Sequence, residues 1–426
     1  MLKRRKNHIF SIYAVLGSRI CPTIYTITYF IPMFRHLPFF VFLLMLSTGF
    51  AQQPDTLWTR LLKENTTTLK PGPNGFTGKG WDLIQKGIQQ NQYVLIGEDH
   101  FMTEIPYFTT QVLKAASFNT FALEVDPYVA QILNQKLSQP DTASLMKWAR
   151  QTGAALSFYG LREEFQMLQA ANRTGTTFIG LDQIAMISDP LLYEDLAGTA
   201  TRAISRKQYA AMAERAKAAA DKFTADMSQP TYMRSAAFSQ DLAELEKEPL
   251  SAREKEILDA IKLSARIYKT ESHALRVQLM KHQLMMAYES AIKNKKVLVK
   301  MGAMHCARGE SYLRGYDCGN LLSNLADSEY KTSFHIAIFG KDGVQGSPFK
   351  GLPAQKLDPY NGDLKFIKPF FDVTPAEEWA VFNLLPVRRA LQSQKLKIDD
   401  IDLRRTILGY DVLVIFPRAH PSHSIN

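Results

Sequence analysis

Short apolar runs with strand character recur along this chain, and in its first half amphipathic helical stretches separate them. The resulting β-α-β-α-β order predicts the α/β class, with a mainly parallel central sheet and flanking helices. The runs lie at residues 93–96, 120–125, 177–181, 296–301, 334–339 and 411–416. Because ligands of such sheets collect beyond the carboxyl ends of the strands, we expect a site at that edge.

A long stretch without strand character lies between the third and fourth runs. From about residue 190 to 294 the chain is rich in Ala, Lys and Glu with helical spacing, which predicts a helical insertion. Breaks at 229–230 and 248–249 divide it, and its last helical stretch runs from about 252 to 293. The insertion either caps a crevice or only packs on the sheet. The Gly- and Pro-rich segment 340–362 predicts an exposed loop.

Residues 1–51 have the features of a signal peptide. An apolar segment at 36–46, short for a bilayer span, precedes the small residues Gly49 and Ala51 at the expected cleavage positions. Met33 is an alternative start, and an uncleaved membrane anchor is the competing interpretation. No cysteine comes directly after Ala51, which disfavours a lipid anchor. We expect an exported protein, periplasmic or secreted, whose mature chain has no stable membrane span.

The mature chain, residues 52–426, is expected to form a single α/β domain. Removing residues 1–51 takes away six basic residues and no acidic one, so the formal charge falls from +10 to about +4. The remaining basic residues are scattered, which argues against nucleic-acid binding. Cys306 and Cys318 remain. In an oxidising compartment they either form one disulfide or stay as two buried thiols, and their spacing does not decide between these.

Two blocks with the same skeleton follow strand runs about half the chain apart. They are Gly97-Glu98-Asp99-His100 and Gly302-Ala303-Met304-His305. Glycine lets the chain turn sharply after each strand, so the histidine that follows is released toward the crevice. A single histidine at a strand end is more often structural than catalytic. The repeated spacing favours a functional role for His100 and His305.

Carboxylates stand at the ends of the predicted strands as well. Glu98 ends the first strand, Glu124 lies in the end of the second, and Asp182 directly follows the third. A buried carboxylate is costly unless it is paired, hydrogen-bonded or bound to a cation. In a parallel sheet these three side chains emerge along one edge with His100 and His305. Asp182 has the alternative role of capping the next helix.

Two imidazoles and several carboxylates support two kinds of chemistry. They can bind a divalent metal that activates a water molecule. Equally, a histidine oriented by a carboxylate can act as a general base without metal. The chain has no cysteine-based zinc pattern and no Gly-x-Ser-x-Gly nucleophile motif, so water is the expected nucleophile in a hydrolytic reaction.

Neighbouring polar residues are weaker candidates. Asp99 and Asp126 are expected to support the site from behind or to face solvent. Arg276 lies one helical turn before Met280 and reaches either an anionic group in the crevice or merely a neighbouring glutamate. The second interpretation is favoured.

Four further histidines are not expected in the site. His273 and His282 are nine residues apart in a helical stretch, which places them on different faces and argues against a ligand pair. His420 and His423 belong to a Pro- and Ser-containing tail, for which a solvated chain end is expected.

Several segments resemble a superfamily that contains the erythromycin esterases, the ChaN-like haem-binding proteins and the TraB and Tiki proteins. Segment 94–100 looks like the Gly-Glu-x-His opening of the ChaN-like proteins, and the two Gly-x-x-His blocks are similar to the paired signature of the Tiki metalloproteases. Ala122-Leu-Glu124 resembles their second-strand glutamate. Segments 158–182, 276–280 and 409–416 look like the middle and the closing strand of an erythromycin esterase.

The chain also departs from the erythromycin-esterase pattern. Those enzymes usually carry one more residue between the Gly-Glu pair and the first histidine. At the later strand they have a His-Asn-x-His motif, and in this chain Gly302 and Ala303 stand at the first two positions of that motif. The pattern leans toward the Tiki and ChaN-like proteins. The resemblance implies that His100, Glu124 and His305 are metal ligands or general bases, with Glu98 supporting the water or the metal.

The sequence as a whole predicts an exported, hydrolase-like protein. It would cleave an ester or peptide bond of a small-molecule or peptide substrate, using water activated by His100, Glu98, Glu124 and His305, with Asp182 as a further member. A divalent metal is the possible cofactor. The alternative is a protein that binds haem or another ligand without catalysis, because a shared fold does not imply a shared reaction.

Overall fold

The computed structural model describes residues 56–349 and 351–425, so the predicted signal peptide lies outside the described residues. Ten strands form one sheet, in the order β2-β1-β9-β10-β7-β3-β6-β4-β5, with β8 paired to the end of β7. They are β1 (Thr66–Gly72), β2 (Gly75–Thr77), β3 (Tyr93–Glu98), β4 (Thr120–Leu123), β5 (Thr177–Gly180), β6 (Val297–Gly302), β7 (Ser333–Gln345), β8 (Gln355–Lys356), β9 (Trp379–Asn383) and β10 (Val412–Ala419).

The part of the sheet from β10 to β5 is parallel, which confirms the predicted α/β class. On its other side β9 pairs antiparallel with β10, and β1 pairs antiparallel with both β9 and β2. These antiparallel strands are absent from the prediction. In β1 three threonines and Pro71 replace the apolar run that marks a buried parallel strand.

Helices cover both faces of the sheet. Alternate residues of β3 point to opposite sides, Val94 and Ile96 into one apolar core and Tyr93 and Leu95 into the other. The helices are α1 (Leu57–Glu64), α2 (Lys79–Gln90), α3 (Glu104–Ala115), α4 (Pro127–Leu137), α5 (Thr142–Thr152), α6 (Arg162–Arg173), α7 (Asp189–Thr199), α8 (Ala203–Ala225), α9 (Ala236–Leu245), α10 (Ala252–Thr270), α11 (His273–Ala287), α12 (Ala303–Cys306), α13 (Cys318–Ser328), α14 (Lys368–Val373), α15 (Leu384–Gln392) and α16 (Ile401–Gly409).

The helical segment between β5 and β6 contains α7 to α11, as the composition of residues 190–294 predicts. Its last stretch differs from the prediction, because residues 252–293 form two helices and a short π-helical turn, Tyr288–Ile292. The chain breaks at Glu271, whose φ is +50°, and Ser272 then caps α11 by accepting the N–H of Leu275.

The prediction of an exposed loop over residues 340–362 is wrong for residues 340–345. β7 continues to Gln345, and Asp342 and Gly343 still pair with β10. The local sequence has no apolar alternation because this end of the strand is only partly buried, so periodicity could not find it. Within the described residues, no helix combines the length and the apolar character needed to cross a membrane.

Candidate active site

The two Gly-x-x-His blocks lie side by side in the structure. β3 and β6 are parallel neighbours, and Glu98 at the end of β3 is in register with Gly302 at the end of β6. β4 borders β6 on its other side, which brings Glu124 to the same edge. The sheet order therefore brings together two segments that are about half the chain apart.

Glycine is required at both blocks because other groups approach the backbone closely. A Cβ on Gly302 would lie 3.0 Å from Nε2 of His100, and one on Gly97 would lie 2.8 Å from the Tyr410 hydroxyl. The N–H of Gly302 donates to Oε2 of Glu124 at 2.6 Å. These glycines let the imidazole and the carboxylate pack against the end of β6.

His100 is held at the edge of a pocket. Its Nδ1 lies 2.7 Å from Oε1 of Glu98, so that nitrogen donates its proton, while Nε2 lies 3.7 Å from Oε2 of Glu124. The ring stacks on Phe158 with 4.5 Å between centroids, and 23% of the side chain is exposed. Burial lowers the pKa of His100, but the Glu124 and Glu98 carboxylates outweigh it and raise that pKa overall.

Behind Glu98 lies a buried ion network. Nζ of Lys300 donates to Oε1 of Glu98 and to Oε1 of Glu164, each at 2.9 Å. Burial and the charge of Glu98 raise the pKa of Glu164 to about 7, although Lys300 opposes them. Lys300 is not among the site residues predicted from the sequence. The sequence feature that could have revealed it is a lysine inside the apolar strand β6, because a buried charge requires partners.

Arg276 is the buried centre of a second network. Its Nε and Nη2 donate to the two carboxylate oxygens of Asp182 at 2.8 and 2.6 Å, and Nη2 also donates to Oε1 of Glu124 at 2.9 Å. Asp182 therefore pairs with Arg276 rather than capping a helix, and Arg276 meets site carboxylates rather than an unrelated glutamate. Burial raises the pKa of Glu124, but His100, His305 and Arg276 lower it to about 2.

His305 is locked in one orientation. Its Nδ1 donates to Oδ2 of Asp317 at 2.7 Å, and its Nε2 accepts from Nη1 of Arg276 at 3.1 Å. This arrangement fits the neutral imidazole with the proton on Nδ1. Asp317 also caps α13, and although burial raises its pKa, the hydrogen bonds that it accepts from His305 and from the N–H of Cys318 help to lower it. Asp317 is not among the site residues predicted from the sequence, because an aspartate directly before a helix indicates only an N-cap.

The predicted metal ligands do not fit a metal well. Oε1 of Glu124 accepts from Arg276, its Oε2 accepts from Gly302, and Nε2 of His305 faces the same guanidinium. The positive charge of Arg276 already contacts Glu124 and His305, where a metal shared by these two side chains and His100 would have to bind. In the described part of the chain no group of three His, Cys, Asp or Glu side chains has a metal-binding arrangement. The arrangement of these three side chains is therefore explained by the Arg276 guanidinium without a metal.

The pocket in front of these groups has a volume of about 160 Å³ and largely apolar walls. Residues at the ends of β3, β4 and β6 line it, together with residues 346–349, 352, 353 and 355 after β7. Aromatic rings come from several elements, with Phe101 and Phe158 next to His100. An apolar pocket with a few convergent polar groups is typical of a site for a small organic ligand.

Other predicted polar residues take different places. Asp99 lines the pocket, where Oδ1 accepts from Nε2 of Gln345 at 2.8 Å and burial raises its pKa to about 6. Asp126 is buried and caps α4 by accepting two backbone N–H groups. Asp126 therefore has a structural role.

The remaining histidines divide into two groups. His273 begins α11 with its ring centroid 5.8 Å from that of His305, whereas His282 is exposed, so the two do not form a pair. Burial, with His305 and Arg276 nearby, lowers the pKa of His273 to about 4. His273 thus lies behind the site, a position that helical spacing alone does not reveal.

The C-terminal tail is docked rather than solvated. Nδ1 of His420 lies 2.6 Å from Glu104, and Nδ1 of His423 lies 2.8 Å from Glu163. Between them the N–H of Ser422 donates to the carbonyl of Phe101 at 3.0 Å. The expected free chain end is thus wrong, because glutamates at the starts of α3 and α6 bind it. We call residues 420–425 the C-terminal strap.

Cys306 and Cys318 are both buried, free thiols, which decides between the two alternatives left open by their spacing. Burial raises the pKa of each thiol well above its usual range. A protonated, buried thiol is a poor nucleophile, so neither cysteine is a candidate for covalent catalysis.

No protein-family model and no curated protein matches this chain. Among solved structures, a mutant of the erythromycin esterase EreC in its open conformation superimposes with a TM-score of 0.54 at 15% identity, over 85% of this chain and 99% of that one. A succinoglycan biosynthesis protein gives 0.49 at 16% identity, over 85% and 97% of the two chains. A protein from Bacillus cereus gives 0.48 at 15% identity, over 84% and 96%.

Fold and site together define an α/β protein with a histidine–carboxylate pocket at the carboxyl edge of its sheet. More particularly, the chain has the fold of the erythromycin esterase, which confirms at the level of fold the resemblance seen in the sequence. At this identity the likeness concerns the fold alone.

Proposed function

We propose that this protein is a hydrolase that activates water with His100 and cleaves an ester or peptide bond. The observation that carries the proposal is the arrangement of the imidazole. Glu98 fixes the proton on Nδ1, which leaves the lone pair of this pocket-lining histidine on Nε2. A carboxylate that orients a histidine in this way is the recurring arrangement for a general base.

The reaction needs a proton acceptor and a stabilised oxyanion. Water adds to the substrate carbonyl while Nε2 of His100 takes its proton, and the negative charges of Glu98 and Glu124 stabilise the imidazolium. Arg276, which lines the pocket, supplies positive charge near the oxyanion. Collapse of the tetrahedral intermediate breaks the bond to the leaving group, which receives the proton back from His100.

The network around Arg276 has a positioning role in this scheme. Asp182 and Glu124 hold the guanidinium, and His305 accepts from it while Asp317 fixes the other ring nitrogen. His305 therefore acts through Arg276 and Glu124 rather than on water directly.

The test is an assay of residues 52–426 against fluorogenic esters and short peptides. His100→Ala should lower kcat by roughly 10²- to 10⁴-fold, as expected for the loss of a general base. His305→Ala should also lower it. His282→Ala, at an exposed position on α11, is the matched control and should leave turnover unchanged. If His100→Ala and His305→Ala both keep full activity, this site is not the active site.

Ligand binding without catalysis is the second candidate, favoured by the apolar, aromatic pocket with a partly exposed imidazole at its edge. Haem iron is commonly held by histidine. Titration with haem should then give a Soret shift that His100→Ala abolishes. Absence of a shift would count against this candidate, and metal analysis of the purified protein checks the predicted divalent cofactor in the same preparation.

A further inference from the structure

A buried carboxyl group in the helical segment between β5 and β6 takes no part in the site described above. Asp189 begins α7 with 1% of its surface exposed, and neither carboxyl oxygen has a hydrogen-bond partner outside the residue itself among the described residues. No described lysine, arginine or histidine forms an ion pair with it. A buried carboxylate without a partner is costly, so the neutral acid is favoured. Burial accordingly raises the pKa of Asp189 well above its usual range.

Tyr193 connects Asp189 to an ion pair in the interior of the same segment. It lies one helical turn later on α7, and burial together with the Asp189 carboxyl group raises its pKa well above the usual range. Its ring centroid is 5.8 Å from that of Tyr232, which lies between α8 and α9. Nε of Arg215 on α8 donates to Oδ2 of Asp241 on α9 at 2.8 Å, and the Tyr232 hydroxyl donates to the same oxygen. The positive charge of Arg215 is therefore balanced by Asp241 rather than by Asp189.

The other titratable side chains on the elements packed against α7 do not supply a cation to Asp189. They are Tyr209 on α8 and Glu254 on α10, which interact with each other, Tyr128 on α4, which donates to Glu256, and Tyr159 in the 3-10 helix Gly153–Gly160, which is buried near Glu164. Arg253 on α10 pairs with Asp195 of α7 at 2.8 Å, in a partly exposed position. Ionisation of Asp189 would thus place an uncompensated charge in the interior.

The start of α7 is joined directly to the wall of the pocket. Residues 185–187 line the pocket, and only Ser188 separates them from Asp189. The N–H of Ser188 donates to the carbonyl of Ala185 at 2.9 Å, and its hydroxyl donates to the carbonyl of Ala155 at 2.7 Å. A displacement of the first turn of α7 therefore moves the pocket wall as well.

We propose that Asp189 is a proton switch: the protonated carboxyl group keeps the first turn of α7 packed in the interior, and its ionisation releases that turn together with pocket residues 185–187. Opening transfers one proton from the carboxyl group to water. Because the folded-state pKa is raised, the closed form is favoured at low pH and is lost as the pH rises. The opening equilibrium constant should rise about tenfold per pH unit between the ordinary aspartate pKa, about 4, and the raised one. As regulation of the proposed active site the switch rests on the proposed function, whereas the opening itself is measured without turnover.

Hydrogen exchange with mass spectrometry between pH 6 and pH 8 tests the switch. Each exchange rate is divided by the chemical exchange rate of an unfolded chain, so that only the opening remains. In the unmodified protein, α7 should lose protection about tenfold per pH unit, and so should the hydrogen-bonded N–H groups of Ile184 and Ser188. The amides of β6 should not change. Constant protection of α7, a loss that spares Ile184 and Ser188, or an equal loss in β6 would each overturn the proposal.

A pair of variants assigns the pH dependence to Asp189. Asp189→Asn keeps the shape of the side chain and cannot ionise, so the protection of α7 should become independent of pH. Glu194→Gln makes the matched change at an exposed position of the same helix and should keep the dependence of the unmodified protein. A tenfold rise that persists in Asp189→Asn contradicts the assignment. If Asp189→Asn does not fold, the pH series on the unmodified protein still decides whether the opening releases a proton.

Discussion

Arg276 shows most directly how single residues hold this site together. Replacing it with methionine leaves Glu124 and Asp182 buried without their cation, and loss of one partner of a buried ion pair costs about 3–5 kcal/mol. Arg276→Met should lower the free energy of unfolding by that amount. Urea denaturation of residues 52–426 measures it.

The control for this variant is an arginine in an exposed pair. Arg253 bonds Asp195 at 2.8 Å with 43% of its side chain exposed, and such pairs contribute about 0–1 kcal/mol. Arg253→Met should therefore change stability little. Equal losses in the two variants would mean that the buried network does not stabilise the fold.

Asp411 makes a pH-dependent contribution away from the pocket. Burial raises its pKa, but hydrogen bonds and charge from Arg308 lower it to about 2. Because the folded-state pKa is lowered, the stabilisation is present above about pH 4 and is lost as the pH falls toward 2. Asp411→Asn should cost roughly 2 kcal/mol at pH 6 and progressively less below pH 4.

Unfolding curves of wild type and Asp411→Asn between pH 6 and pH 3 measure this effect. Asp342→Asn, which makes the same substitution at an exposed position, serves as the control. A constant cost of Asp411→Asn over the same range would contradict the lowered pKa.

The sequence predicts the side chains that follow strands, because parallel strands end at one edge. His100, Glu124 and His305 are found in this way. It does not predict Lys300, Asp317 or the partners of Arg276. Those pairings depend on which strands and helices are neighbours in space, and short apolar runs carry no information on neighbours.

Among the elements, the C-terminal strap fixes the chain around the pocket. The carbonyls of His420 and His423 accept the N–H groups of Thr103 and Arg162, near the pocket residues Phe101 and Phe158. Deleting residues 420–426 should make the amides of Thr103 and Arg162 exchange faster with solvent. Hydrogen exchange with mass spectrometry measures this.

The side chains of the strap can be tested apart from its backbone. A double variant, His420→Gln with His423→Gln, keeps the backbone hydrogen bonds and removes the imidazole pairs with Glu104 and Glu163. It should exchange more slowly than the deletion at the same amides. If the deletion exchanges at the wild-type rate, the strap does not order these segments.

The parallel strands of the sheet are predictable from the sequence, whereas the antiparallel strand β9 is missed although it is also buried. Parallel strands covered on both faces read as continuous apolar runs, and all six are found. The strands β1 and β8 and the end of β7 are short or half-exposed, so their pairing comes from backbone hydrogen bonds that leave little trace in the side chains. The break at Glu271 depends on one residue with positive φ.

For the whole molecule, export is the property that the presequence predicts. We propose that residues 1–51 direct secretion and that cleavage follows Ala51. Expression of the full chain in a bacterial host should then give a protein in the periplasmic fraction or medium whose first residue is Gln52, as read by intact-mass spectrometry. A cell-associated protein that retains Met1 or Met33 would contradict this proposal.

β6 lies between β3 and β4, although the chain reaches it only after β5 and the whole of α7 to α11. A chain that ends at residue 294 therefore carries His100, Glu98, Glu124, Asp182 and Arg276 but lacks the strand that separates β3 from β4. During synthesis β4 can pair with β5, but both neighbours of β3, β6 and β7, come later in the chain, and closing such long loops makes folding slow. The sheet edge that brings His100, Glu124 and His305 together is thus complete only after β6 has joined the sheet.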